Sequence, residues 1–377
     1  MRVLTLTPFY PTASDNADGC FVAEPLDFVR NCGVECDVVA VRPFYLARPT
    51  PNGHAAEWIR YAAVPGGLGL ASSGALLYAQ LLPKVRRLVR KAPINLIHAH
   101  AALPCGHAAM LLKQELGIPY VVTVHGLDAF FTRQVQGFGR QRCYRASQKV
   151  YGSADAVVCI SRKVATQLEN AVAHERLRIV HNGVDEQQFC PAHEHGKGSI
   201  ILSVGNLIPI KGHELLLRAI AALQAQFPDF VCEIIGDGPE RSHLQSLAIN
   251  LAVSDKVRFL GRQSREHVAQ AMRRCSIFAL PSSYEGLGCV YIEAMSAGKP
   301  IIACRDQGIQ DIVEHGRNGW LIAPRDLSSL TDALAILLQD SELRTRLGRN
   351  ARETVVHNLT LAHQAAQLTE VYEDVAA

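Results

Sequence analysis

The chain has 377 residues, enough for two domains of ordinary size, with 48% apolar residues, 19% charged residues and a net charge of +3. Such a balance supports sizeable buried cores and excludes bulk electrostatic binding of nucleic acid. The 11 cysteines include no CxxC pair, and no apolar run reaches the roughly eighteen residues of a spanning helix, so a reduced, cytoplasmic chain is expected.

In chain order, RVLTLT at the N-terminus is rich in β formers and reads as a buried strand rather than as part of a leader. Cys32 and Cys36 stand one helical turn apart, without the second pair that a structural zinc site needs. Further strands are expected at ECDVVAV, LIHAH, YVVTVHG, AVVCIS and LRIVHN. GVDEQQFCPAHEHGKGS then breaks the pattern and reads as an interdomain linker. Its His193, Glu194 and His195 are metal-ligand types, but a solvated linker is the plainer account. A second strand set follows at SIILSVGN, FVCEIIGDG, VRFLG, IFALPS, PIIAC and GWLIAP, and after APRD the pattern is purely helical.

Continuous apolar strands separated by amphipathic helices indicate parallel sheets covered on both faces. The expected architecture is α/β: two doubly wound domains, residues 1–185 and 186–358, facing each other across a cleft. A last helix at about 359–377 is expected to pack back on the first. Ligands of such sheets bind at the carboxyl ends of the strands.

At one such end lies SSYEGLGCVYIEAMSAGKP, with Glu285 and Glu293 eight positions apart. Eight helical residues span roughly 12 Å, whereas paired glycosidase carboxylates need about 5 Å or about 6.5–9.5 Å. A hydrolytic pair is therefore a poor fit. Gly286 and Gly288 permit close backbone approach, and a helix starting near Cys289 offers amides to an anion. A long ligand across the helix start, with a diphosphate at the amides, fits this spacing.

This E-x7-E element resembles the mark of retaining glycosyltransferases of the two-domain GT-B fold, family 4 (group 1), whose domains are Rossmann-like. ILSVGNLIPIKG resembles that family's donor-phosphate strand and loop, IIGDGPE its next strand-turn and HNGVD its hinge. TPFYPTASDNADGC resembles its first glycine loop, and TVHGLDAF its N-domain active-site loop. Within the family, bacterial polysaccharide transferases such as those of teichuronic acid synthesis are most alike.

The resemblance implies a role for each matching residue. Glu293 would bind the ribose hydroxyls, and Glu285 hydroxyls of the transferred sugar. The segment Gly286, Leu287, Gly288, Cys289 and Val290 would hold the diphosphate and sugar, with Lys211 neutralising the leaving group. Gly19 would let the first loop approach the phosphates, and His125 would lie against the sugar and stabilise the anomeric centre. Gly236 and Gly238 look structural first, in a turn near the base. Asn206 stands where the family usually carries Arg, leaving one charge for Lys211, the helix N-terminus, Arg262 or the first loop to replace. Gln307 and Asp311 depart from the family pattern as well and would reshape the sugar pocket.

The implied reaction is retaining transfer from a nucleoside-diphosphate sugar, UDP-linked by preference, to a glycan or lipid-linked acceptor in cell-surface polysaccharide synthesis. No Asp-x-Asp occurs, so metal-independent catalysis without a cofactor is expected. A GDP-mannose-dependent mannosyltransferase and a non-catalytic nucleotide-sugar-binding protein are the alternatives. An epimerase would need no acceptor, and nothing marks out the pyridoxal lysine of a phosphorylase.

Each residue has a plainer account too. Glu285 and Glu293 could be a loop acid by a helix N-terminus and a surface acid, Lys211 a solvated lysine and His125 a strand cap. Asp128 reads equally as a helix N-cap or an acceptor contact, and Asn182 with Gly183 as the hinge turn. His98 and His100 share one strand face, His100 being an acceptor-side candidate or an ordinary buried residue. LLPKVRRLVRKAP, residues 81–93, reads as a surface helix packed on its own sheet or as one that docks on anionic lipid. Arg133, Arg140, Arg142 and Arg145 would enlarge that basic patch or meet an anionic acceptor. Docking would place the chain peripherally on the inner face of the plasma membrane.

Overall fold

The computed structural model describes residues 1–13, 15–47, 50, 56–64, 69–126, 128, 138–192 and 199–377. The chain divides into two compact units, Met1–Asn182 with Leu361–Ala377, and Gly183–Thr360.

In the first unit the strands are β1 (Arg2–Thr7), β2 (Glu35–Pro43), β3 (Glu57–Tyr61), β4 (Leu96–His100), β5 (Tyr120–Val124), β6 (Ala156–Cys159) and β7 (Leu177–Ile179). Its helices are α1 (Cys20–Asn31), α2 (Leu70–Lys91), α3 (His107–Leu116), α4 (Phe138–Ser153) and α5 (Arg162–Thr166). The strands pair in parallel in the order β3-β2-β1-β4-β5-β6-β7. The strand order reverses between β1 and β4, which opens a ligand-sized crevice at their carboxyl ends in folds of this kind.

Strand β3, EWIRY, is absent from the expected set. It is an edge strand whose outer residues stay exposed, so it lacks the apolar run that betrays its buried neighbours. Its Glu57 pairs with Lys84 of α2. The last helix of the chain, α12 after the second unit's elements (Leu361–Ala376), returns to this unit. Its Ala365, Leu368 and Tyr372 share a core with Val3, Val29, Leu96, Val121 and Val158.

The second unit carries β8 (Ser199–Val204), α6 (His213–Leu223), β9 (Phe230–Ile235), α7 (Arg241–Asn250), β10 (Val257–Gly261) and α8 (Arg265–Arg274). These lead to β11 (Ile277–Ala279), α9 (Cys289–Ser296), β12 (Ile301–Cys304), β13 (Trp320–Ile322), α10 (Leu327–Gln339) and α11 (Ser341–Asn358). Its strands are again all parallel, in the order β10-β9-β8-β11-β12-β13. The core joins Ile201, Ile234, Ile277 and Ile302 of the sheet to Leu216, Leu217 and Ile220 of α6 and to Leu330 and Leu334 of α10. Here the order reverses between β8 and β11, the two strands whose following loops hold Lys211 and Glu285.

Candidate functional site

Four strand-to-helix loops of the second unit gather at the carboxyl edge of its sheet. After β8 the chain passes Gly205 and Asn206 into a short turn, Pro209–Lys211, and then into α6. Gly205 donates to Ile235, Leu207 donates to Asp237 and Glu240 donates to Leu207, which ties this loop to the one after β9. A Cβ on Gly236 would lie 1.9 Å from the Gly205 carbonyl oxygen, and one on Gly238 2.5 Å from that of Leu207. These two glycines therefore let the loops touch.

The loop after β11 runs from Leu280 to Gly288, where φ is +82° and α9 begins. A Cβ there would meet the Tyr291 ring at 2.6 Å, so the turn needs glycine. Tyr291 donates to the Leu280 carbonyl at 2.5 Å and closes the loop. No side chain caps α9, which leaves its first turn a site of positive potential at the loop that carries Glu285, Gly286 and Leu287. Cys289 and Val290 are the first two residues of that turn.

Lys211 and Glu285 meet here: the ammonium donates to Glu285 Oε1 at 2.5 Å. Ser282 Oγ donates to the same oxygen at 3.1 Å. The Glu285 backbone is fixed as well, its N–H on Gln307 Oε1 at 3.0 Å and its carbonyl accepting from Gly308 at 3.1 Å. Gln307 thus supports the loop that holds the acid, while Asp311 ends the short helical turn that follows. Asn206 is exposed at the end of β8, and Arg262 follows β10, two strands away.

Glu293, inside α9, is buried rather than a surface acid, and its Oε1 accepts from Arg265 Nη1 at 2.8 Å. The Arg265 guanidinium lies 5.0 Å above the Phe189 ring. Sequence reasoning missed Arg265. In SREH the only readable signal is Ser264, the N-cap that accepts from His267, and nothing there announces that the next residue turns inward. It also missed His213, which burial and Lys211 push down to about 4, so the ring is neutral at pH 7.

In the first unit a histidine cluster lies at the ends of β4 and β5. His98 is a satisfied core residue, with Nδ1 2.6 Å from the Tyr372 hydroxyl and Nε2 2.7 Å from Thr123 Oγ1. His100 Nδ1 lies 3.0 Å from His125 Nε2, and the two rings stack. Phe9 and Phe21 flank His125. Burial, with His98 nearby, pushes His125 down to about 3, and burial drives His100 well below the usual imidazole range. Asp128 Oδ1 accepts the His125 N–H at 2.8 Å, and burial raises that carboxyl to about 7. Whether Asp128 also caps a helix concerns residues outside those described. Gly19, at φ +75°, precedes α1 and packs its backbone against Phe9 and Tyr10.

Of the basic stretch 81–93, Leu81 and Val85 are buried in the unit's own core. Lys84 pairs with Glu57 and Arg86 with Glu115, leaving Arg87, Arg90 and Lys91 exposed on α2 and Arg140, Arg142 and Arg145 on or beside α4. Arg133, His193, Glu194 and His195 lie outside the described residues. All 11 cysteines are free thiols. Among the described residues no helix is long and apolar enough to cross a membrane.

Residues 185–354 match the glycosyl transferases group 1 model, and residues 28–188 match the Glycosyltransferase Family 4 model. An uncharacterized glycosyltransferase of Methanocaldococcus jannaschii is 32% identical over 268 residues, covering 71% of this chain and 72% of the relative. The chain is a group 1, family 4 glycosyltransferase. N-acetyl-alpha-D-glucosaminyl L-malate synthase of Bacillus anthracis is another relative of this transferase, 27% identical with 78% of each chain covered. Sucrose-phosphate synthase from Thermosynechococcus elongatus superposes with a TM-score of 0.82 at 23% identity, covering 100% of this chain and 99% of its own. Anabaena HepE, solved with UDP and glucose, gives 0.77 at 20% identity with 99% of each covered. These likenesses show the GT-B fold, two Rossmann-like domains, for the transferase.

Two outcomes follow from this geometry. Arg265→Met leaves the Glu293 carboxylate buried without its cation, and should destabilise the second unit by about 3–5 kcal/mol in urea unfolding; adding Glu293→Gln should restore part of the loss. In the first unit, the histidines held neutral must take up protons on unfolding, so their contribution is full above about pH 6.5 and is lost as pH falls toward 3. The raised Asp128 carboxyl acts in the opposite sense, its contribution being lost as pH rises toward 7. Asp128→Asn should therefore make thermal stability fall more steeply between pH 7 and 5 than in the wild type.

Proposed function

We propose that the second unit binds a nucleoside-diphosphate sugar with its sugar at Glu285, its diphosphate at Lys211 and the first turn of α9, and its ribose at Glu293. The observation that carries this is the Lys211–Glu285 pair at the strand reversal beside an uncapped helix N-terminus. A cation held at 2.5 Å from a buried carboxylate, next to aligned amides, is arranged in advance for a site where negative charge develops. The Glu285 carboxylate accepts hydrogen bonds from Lys211 and Ser282 and keeps lone pairs for sugar hydroxyls. Glu293 is likewise held in place by Arg265.

The reaction is retaining transfer without a metal. As the bond from the anomeric carbon to the diphosphate breaks, Lys211 and the α9 amides take up the charge on the departing phosphate. The acceptor hydroxyl attacks on the face the diphosphate vacates, and its proton passes to a phosphate oxygen. On the first unit His125 serves catalysis, with His100 and Asp128 on the acceptor side. A UDP-linked donor is favoured, in keeping with HepE, whose structures hold UDP, UDP with glucose, or UDP-glucose.

The acceptor is a glycan or lipid-linked glycan of the cell surface, and the chain works in the cytoplasm. A second reading, a small acidic alcohol as acceptor, is favoured by relatives named for malate and for D-inositol 3-phosphate. Docking on anionic lipid through residues 81–93 is supported by the exposed Arg87, Arg90 and Lys91.

Glu293→Ala should weaken UDP binding about 10- to 100-fold by calorimetry, the scale of a charged hydrogen bond, and an unchanged Kd would remove the ribose contact from the scheme. Flotation with vesicles rich in phosphatidylserine should carry the protein upward at low salt and release it at high salt. Protein that stays at the bottom at every salt concentration argues against docking.

A further inference from the structure

At the opposite edge of the second unit's sheet, where the strands begin, lies a second polar pocket of about 330 Å³. Ser199 opens β8, Ser276 precedes β11, Pro300 precedes β12 and Ser341 opens α11, and all four line it. Three cations join them, Arg274, Lys299 and Arg344, and no carboxylate lines the pocket.

Lys299 is the decisive residue. It is only 8% exposed, and no acid pairs with it among the described residues. Lysines so deeply placed are ordinarily paired, because desolvating an ammonium without a counter-charge is costly. The acids nearby are already committed, and the two arginines keep N–H groups to spare. Arg274 donates to Glu233 at 2.5 Å, but that carboxylate also faces Arg258 at 3.7 Å. Arg344 donates to the carbonyls of Leu337 and Leu338 rather than to an acid. Asp340 spends Oδ1 on the Leu343 amide as the cap of α11. The Cys275 thiol, pushed up to about 12 by burial, adds no negative charge at neutral pH.

We propose that this pocket is an anion site that takes a phosphate group, free or carried on a sugar, apart from the donor site. A tetrahedral dianion would accept from the Lys299 ammonium and from the two guanidiniums. The hydroxyls of Ser276, Ser341 and Thr345 are the remaining donors. The ligand would offset the desolvation of Lys299. Strand β11, three residues long, joins this pocket to the loop of Glu285, a path of roughly 10 Å.

The test is thermal unfolding of the whole chain with saturating UDP, titrated with inorganic phosphate or glucose 6-phosphate at ionic strength fixed by potassium chloride. The wild type should show a saturable rise in midpoint, and Lys299→Met and Arg344→Met should each need at least tenfold more ligand. Both variants should keep the wild-type response to UDP, which shows that they fold. A stronger response to glucose 6-phosphate marks an organic phosphate as the ligand, and an equal one marks the free ion. Two results overturn the proposal: phosphate acting no differently from chloride, or both variants titrating like the wild type. If UDP itself gives no shift, the donor scheme fails while the phosphate titration, run without it, still decides this site.

Discussion

Parallel pairing is the constraint on which everything else in each unit depends. Neighbouring parallel strands can be joined only by a crossover, so every strand-to-helix loop of a sheet emerges at the same edge. In the second unit this puts the loops after β8, β9, β11 and β12 side by side, although they come from residues as far apart as Gly205 and Asp311. The reversal of strand order between β8 and β11 then separates the helices that follow them, and the loops of Lys211 and Glu285 meet in the gap. Glycines at 236 and 238 are needed because these loops pack backbone on backbone, and Gly288 because the Tyr291 ring leaves no room for a Cβ.

Charge taken out of water must be matched, and the site shows how the fold does it. Glu285 and Glu293 are both nearly buried, and each is hydrogen-bonded to a cation, Lys211 for one and Arg265 for the other. Such pairs contribute little net stability, since desolvation offsets most of the attraction. They do fix where the carboxylates point. Orientation is what a polar site must have before its ligand arrives, because donors that reorganise on binding lose part of their effect. Phe189 extends the same logic, its ring lying under the Arg265 guanidinium.

Much of this was legible in the sequence, and the exceptions have physical causes. Apolar strands such as SIILSV and AVVC announce themselves because both faces are buried. EWIRY does not, since an edge strand needs no second apolar face. Glu285 and Glu293 were readable through their spacing and the glycines between them. Arg265 was not, because a helix-starting arginine after a serine cap looks the same whether it faces water or a buried acid. The histidines of LIHAH show the same limit. Their alternation puts His98 and His100 on one face, but only the tertiary structure assigns His98 to Tyr372 of a helix that lies 274 residues on and His100 to His125.

Asn206, at the position where the family resemblance leads one to expect arginine, is best understood through the rigidity of its neighbour. Asn206 is exposed and brings no charge, so the cationic character of the β8 loop rests on Lys211. A flexible four-carbon side chain would be a poor substitute if it were free to wander. Its backbone is not free, for Gly212 at φ +75° holds the turn so closely that a Cβ would come within 2.2 Å of the Pro281 carbonyl oxygen. Ser283 donates to the Ile210 carbonyl from the same loop. The side chain is confined too, its Cδ lying 3.7 Å from where a Cβ on Gly205 would stand and its ammonium on Glu285. Confinement between the β8 and β11 loops gives this one lysine a fixed position, and Gly212 and Pro281 are as much a part of that placement as Lys211 itself.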